Sequence, residues 1–188
     1  MGRNNMHDIV SFLSTNDKLV TAWTAIAALF VSITSIVIAI VNIAMQRAHN
    51  RKSVFPIGHI SVGDYERRVS VRLRNEGVGP MIIEKAIVTR ENGSEQAKSA
   101  ILDFLPDLPD GYLWTTFVGD ISGRAISAGD EIVLVSLEGD QNDVDFIAAR
   151  EMTREALSNL TIGVDYKNIY GERMPSVSRR LDWFGRLL

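Results

Sequence analysis

The side chains able to do chemistry are few and scattered. Histidine occurs only at His7, His49 and His59, with no His-Glu-x-x-His pair to hold zinc on one helix face. There is no Gly-x-Ser-x-Gly elbow, phosphate loop or dinucleotide fingerprint, and the absence of cysteine removes thiolate chemistry and disulfides. Carboxylates are commoner. Glu138-Gly139-Asp140-Gln141-Asn142-Asp143-Val144-Asp145 has the acidity of a calcium loop, but its glycine and distal glutamate miss the required offsets, so it reads as a solvated, helix-capping loop. Asp103, Asp107, Asp110 and Asp120 surround a proline-rich loop with Trp114, and a paired-carboxylate hydrolase would need two of them to meet in a cleft. No set of nucleophile, base and metal can be written down, so the chain is read as a non-enzyme without cofactor or metal.

Another kind of chemistry, contact inside lipid, is encoded more densely. From Leu19 to Met45 the chain carries no charge. At 1.5 Å per residue that run is roughly 40 Å of helix against a hydrocarbon core of about 30 Å, enough to span once with tilt. Within it Thr21, Ala25, Ala28, Ser32, Ser35, Ala39, Asn42 and Gln46 recur at alternating steps of four and three, and all are small or polar. Helices meet in a bilayer where small residues let backbones approach and polar groups bond across, so this stripe is the expected self-association seam. Its heptad period predicts a left-handed crossing, with Asn42 the strongest single contributor. Small residues also occur off the stripe, at Ala22, Thr24, Ala27, Thr34 and Ala44.

The flanks orient the span. Arg3 and Lys18 precede it, whereas Arg47, Arg51 and Lys52 follow in a tight cluster with His49, which predicts that the carboxyl side faces the cytoplasm. The same cluster suits anionic headgroups, although a stop-transfer flank accounts for it. Residues 1–18 read as an N-terminal segment, either interfacial or frayed, with Asn16 and Asp17 as candidate caps for the membrane helix. The apolar run is too long for the core of a cleaved signal peptide. Net charge is −3, and no basic run interleaved with aromatics occurs after the span, which argues against nucleic acid.

After the span (19–46) and a basic linker (47–53), periodicity changes from helical to alternating, and residues 54–188 are expected to form one β domain. Strands are predicted at Phe55–Val62, turning at Gly63-Asp64, then at Arg67–Leu73 and from Met81 to about Arg90. Between the last two lies Asn75-Glu76-Gly77-Val78-Gly79-Pro80, whose glycines permit positive φ. Asn92-Gly93 signals a hairpin, Ala97–Leu105 a short helix, and Tyr112–Val118, Arg124–Ser127 and Glu131–Leu137 further strands. Asp143–Asn159 predicts a helix with Asn142 as its cap and Val144, Ile147, Ala148, Met152, Ala156 and Leu157 on one face. Leu160–Tyr166 and Arg173–Arg180 close the pattern around Lys167-Asn168-Ile169-Tyr170-Gly171, before an apolar tail containing Trp183 and Phe184. That tail either packs on the domain or touches the membrane or a partner, and Trp114, for which core packing is the default, joins Trp183 and Phe184 as a possible binding surface.

Two turn motifs carry a resemblance. Val71–Val88, with its Asn-x-Gly-x-Gly-Pro turn, and Tyr166-Lys167-Asn168-Ile169-Tyr170-Gly171 resemble hairpins of small immunoglobulin-like β-sandwiches that follow a single membrane helix in uncharacterised bacterial proteins. Asn168 stands where that pattern has Asp, and Tyr170 where it has Phe. The resemblance implies an immunoglobulin-like antiparallel β-sandwich with one or two short helices, in a bacterial inner membrane, and it implies no active site. The function expected is a single-pass membrane-anchored binding or sensing module that recognises a protein or small ligand and self-associates through its helix. The alternative is a membrane-perturbing effector of a defence or toxin system, in which the β domain controls assembly of the polar-striped helices.

Overall fold

The computed structural model describes residues 4–90, 97–109 and 111–187, with residues 4–16, 52 and 187 described by backbone alone. The chain divides into two compact units, Met1–Asn50 and Arg51–Leu188. The first is helical: α1 runs unbroken over Asn4–Lys52. No glycine or proline occurs between Arg3 and Phe55 to interrupt its backbone ladder. Asn16 and Asp17, expected as caps, thus lie within the helix and not at its start; the Asp17 carbonyl accepts from Thr21 Oγ1 at 2.7 Å. Arg47–Lys52, expected as a linker, is helical too. The 35 residues Asp17–Arg51 are long and apolar enough to cross a membrane, and their side chains are exposed throughout.

The second unit is mainly β. Its strands are β1 (Gly58–Tyr65), β2 (Arg68–Asn75), β3 (Met81–Arg90), β4 (Thr116–Phe117), β5 (Ala125–Ile126), β6 (Glu131–Glu138), β7 (Leu160–Lys167) and β8 (Val177–Arg180). They form two four-stranded antiparallel sheets, ordered β1-β2-β6-β4 and β5-β3-β7-β8. Alternation sends Val69, Val71 and Leu73 from one sheet, and Met81, Ile83, Ile162 and Val164 from the other, into a shared core. A bulge between Ile83 and Lys85 resets the parity of β3, so that Ala86 and Val88 also face inward. Where β1 and β8 approach, Arg179 Nη1 donates to the Ile60 carbonyl at 2.7 Å and the two sheets curl together.

A helix, α2 (Val144–Ser158), connects β6 to β7, and a 3-10 helix (Asp182–Leu187) follows β8. Asp143, not Asn142, caps α2 by accepting from the Asp145 amide at 3.0 Å. The buried face is Phe146, Ala149, Thr153, Arg154 and Leu157. Leu157 is buried as predicted, but the rest of the predicted face is corrected: Val144, Ile147, Ala148 and Met152 are exposed and Ala156 is half-buried, and the apolar count misled because two core positions are Thr and Arg. Other boundaries shift as well. Gly63-Asp64 lies within β1 and the chain turns at Glu66-Arg67; Ala97–Leu105 yields only a 3-10 turn at Leu102–Phe104; the Tyr112–Val118 strand shrinks to two residues. Asn92-Gly93 lies outside the described residues.

The Asn75–Pro80 turn is built differently from its sequence expectation. Neither Gly77 nor Gly79 has positive φ. A Cβ on Gly77 would lie 2.4 Å from the Phe55 carbonyl oxygen, and one on Gly79 would lie 2.0 Å from that of Val54. Glycine is needed because two backbones touch. Glu76 N donates to Ile57 O at 2.8 Å and Val78 N to Phe55 O at 3.1 Å, so Val54–Ile57 is fastened beneath the turn.

Candidate functional site

At 100° per residue the eight seam residues of α1 fall within an arc of roughly 100° on one side of the helix. All eight are exposed. Their hydroxyls are bonded locally: Thr21 Oγ1 to Asp17 O at 2.7 Å, Ser32 Oγ to Ala28 O at 2.8 Å and Ser35 Oγ to Val31 O at 2.8 Å. Asn42 and Gln46 carry the longer polar groups on the stripe. Of the basic cluster, Arg47 and Arg51 are exposed on the last turns of α1.

The aromatic trio separates. Phe184 is completely buried, so its assignment to a binding surface is corrected: it belongs to the core that the apolar tail helps to close. Trp183 is partly buried against that core, edge-on to Phe184 at 5.3 Å, with the Arg186 guanidinium 3.2 Å from its ring centroid. Trp114 is partly buried too and bridges the main core and a smaller cluster of Leu137, Phe146 and Ala149.

Sequence reasoning missed a buried ionic group. The Asp64 side chain, 1% exposed, accepts a hydrogen bond from Arg150 Nη2 at 2.7 Å on Oδ1, while its Oδ2 is ion-paired without a hydrogen bond to Arg154 Nε at 3.4 Å and Arg186 Nη2 at 3.6 Å. Arg154 is 4% exposed and also reaches Glu151 Oε1 at 2.7 Å. The group ties α2 and the C-terminal 3-10 helix to β1, which is a structural use of charge. The i, i+4 pair Arg150 and Arg154 was the available signal, but its acid lies 86 residues away from Arg150.

The second missed feature is at the N-terminus of α2. Tyr112 Oη donates to Asp143 Oδ2 at 2.5 Å, and the Tyr112 and Phe146 rings lie 5.9 Å apart. The hydrogen bond to Asp143 pushes the Tyr112 phenol up to about 12, with Asp145 and Asp140 adding to the effect. The same bond and the Asp145 amide hold the Asp143 carboxyl below its ordinary range. Leu113 and Val144, which follow the bonded residues in sequence, are 85% and 75% exposed. Ile147, also exposed, lies one turn beyond Val144 on the same helix face.

A groove of about 510 Å³ runs along Glu84, Lys85, Asp165, Arg173, Met174 and Ser176. Its charges largely satisfy one another, with Ser176 Oγ on Asp165 at 2.5 Å and Glu84 shared by Arg173 and Lys167. In the 138–145 loop, Asp140 Oδ1 accepts from the Asn142 amide at 3.0 Å and Asp143 caps α2. Among the described residues, no three His, Asp or Glu side chains form a metal-binding group. No protein-family model and no curated protein matches the chain.

Proposed function

We propose that this protein is a single-pass membrane-anchored binding or sensing module, whose β domain recognises a protein or small ligand and whose helix self-associates. The observation that carries the proposal is α1: 35 consecutive residues able to cross a membrane, with apolar side chains bare from end to end, attached to a unit that closes its own core. Bare apolar surface on that scale needs lipid or another helix. Strand order supports an immunoglobulin-like reading of the domain. Taking β1, β2, β6 and β4 as A, B, E and D, and β3, β7 and β8 as C, F and G, gives the ABED and CFG sheets of that fold, with β5 added beside C. The likeness extends to a bacterial inner-membrane setting only through the two turn motifs. Arg47, Arg51 and Lys52 support a cytoplasmic domain.

Two measurements test the reading. In this cysteine-free chain, Ser122→Cys places a thiol on an exposed loop; it should resist a membrane-impermeant maleimide in intact cells and react after lysis. Labelling of intact cells would reverse the orientation. Energy transfer between differently labelled copies in phosphatidylcholine vesicles should be detectable and should fall about tenfold in apparent association constant for Asn42→Leu, with insertion unchanged. Equal transfer in both would remove the seam. The effector reading rests on the same polar stripe and predicts ion leakage from those vesicles as copies cluster.

A further inference from the structure

We propose that the end of the β domain at which the chain arrives from the membrane span lies against the lipid headgroups, with Phe55, Val78, Ile169 and Tyr170 reaching into them. The inference rests on the membrane-anchored reading and names a lipid surface as something this domain binds, whichever side of the bilayer it occupies. Strand register collects the four residues. Gly58, which opens β1, pairs with Asn75 at the close of β2, and Ile82 near the start of β3 pairs with Lys167 at the close of β7. Bonds between the sheets join these positions: Gly58 N donates to Tyr166 Oη at 3.0 Å, and Asn75 Nδ2 to the carbonyl of Ile126, which pairs with Met81, at 3.1 Å. Val54–Ile57, the Asn75–Pro80 turn and the Asn168–Glu172 turn therefore share one end of the domain. There Phe55, Val78, Ile169 and Tyr170 stand 42, 67, 48 and 50% exposed. The backbone beneath them is fixed. Val78 N donates to Phe55 O at 3.1 Å, and buried Asn168 accepts from the Tyr170 and Glu172 amides at 2.9 and 3.0 Å, so little ordering is left to do on contact.

Continuity of the chain decides the occupant. Arg51 is both the last residue of the stretch able to cross a membrane and the first of the β unit. Helix carries the chain from Met45, where the uncharged run stops, to Arg51, which is about 9 Å at 1.5 Å per residue. The headgroup layer is itself about 5–8 Å deep on each side. Glu172 then ties its turn to Arg51: Oε1 pairs with Arg51 Nη1 at 3.1 Å while Oε2 accepts from Asn168 Nδ2 at 2.8 Å. Phe55 follows Arg51 by four residues and holds Val78. Both turns thus sit beside the point at which the chain leaves lipid. Aromatic rings favour that boundary, where the apolar body is desolvated and a phenol stays wet. Arg51, Lys167 and Arg173 are paired with Glu172 and Glu84, so the contact is apolar and aromatic and needs no anionic lipid.

The test uses the full chain, one copy per phosphatidylcholine nanodisc, with a fluorophore on a single introduced cysteine and nitroxides on the lipid headgroups. Glu76→Cys places the dye on the β2–β3 turn, and Glu66→Cys places it at the opposite end of β1, about 23 Å of strand away. Quenching should be stronger at Glu76→Cys. Adding Ile169→Ser with Tyr170→Ser should cut it by about threefold or more, and Val78→Ser should lower it too. The turn itself survives these changes, since Asn168 bonds to backbone amides, and thermal melts should stay in place. Val144→Ser, at a bare apolar site beyond the Glu138 end of β6, which pairs with Arg68, should leave quenching unchanged. Equal quenching at the two ends, indifference to the Ile169/Tyr170 changes, or an equal loss with Val144→Ser would overturn the proposal. So would quenching that appears only in discs holding two copies, which would assign this end to a neighbouring chain. A dye that stays clear of the headgroups while α1 inserts removes this surface alone; failure of the chain to enter the discs removes the membrane-anchored reading beneath it.

Discussion

Asn75 is fully buried, and its amide is engaged on both ends. Oδ1 accepts from the Ile57 and Gly77 amides at 3.2 and 3.1 Å, while Nδ2 donates to the carbonyls of Gly79, Ile126 and Ser127 at 2.7, 3.1 and 3.2 Å. One side chain thus joins the entry to β1, the β2–β3 turn and the end of β5. Asn75→Ala strands several buried groups and should cost about 3 kcal/mol or more, seen as a lowered urea midpoint. Tyr112 and Asp143 make a different, titratable link. Because Asp143 is held low, its contribution is present above the ordinary carboxylate range and fades as pH falls through its folded value. Because Tyr112 is raised, its contribution is complete below about pH 10 and lost as pH climbs through about 12. Tyrosinate absorbance should show one late-titrating phenol that returns to ordinary behaviour in Asp143→Asn.

At the scale of elements, α2 gives the sharpest check on packing. Phe146→Ala should cost about 3–5 kcal/mol, whereas Val144→Ser should stay within about 0.5 kcal/mol in thermal or urea melts. Equal losses would restore the face predicted from apolar periodicity. The contrast shows how far sequence reaches. A helix over Asp143–Asn159 was legible from its composition, although its cap falls on Asp143 and not on Asn142; its buried side was not legible, because Thr153 returns its hydroxyl to the Ala149 carbonyl at 2.7 Å and Arg154 finds Asp64. Thr153 is satisfied within its own helix, whereas Arg154 meets a carboxylate far away in the chain that sequence spacing does not reveal. The hairpin at Asn168 was legible for the opposite reason: its partners, the Tyr170 and Glu172 amides, are local. Leu113 escaped notice because an isolated leucine in a loop has no period to betray it.

For the molecule as a whole, the division at Asn50/Arg51 predicts an independently folding domain, and the fastened Val54–Ile57 segment fixes where it must begin. A fragment starting at Ser53 should unfold cooperatively. One starting at Gly58 lacks the strands of chain that Gly77 and Gly79 touch, and should lose about 2 kcal/mol or more by urea titration. Identical midpoints would mean that the fastening is ornamental. Along α1, the hydroxyls of Thr21, Thr24, Ser32, Thr34 and Ser35 are all spent on carbonyls of their own helix. None of those five groups requires a neighbour before entering lipid. Under the proposed self-association, insertion and association would be separable events, and the second would obey a two-dimensional law of mass action. The number of copies per area of bilayer, more than any feature within one copy, would set when the assembly appears.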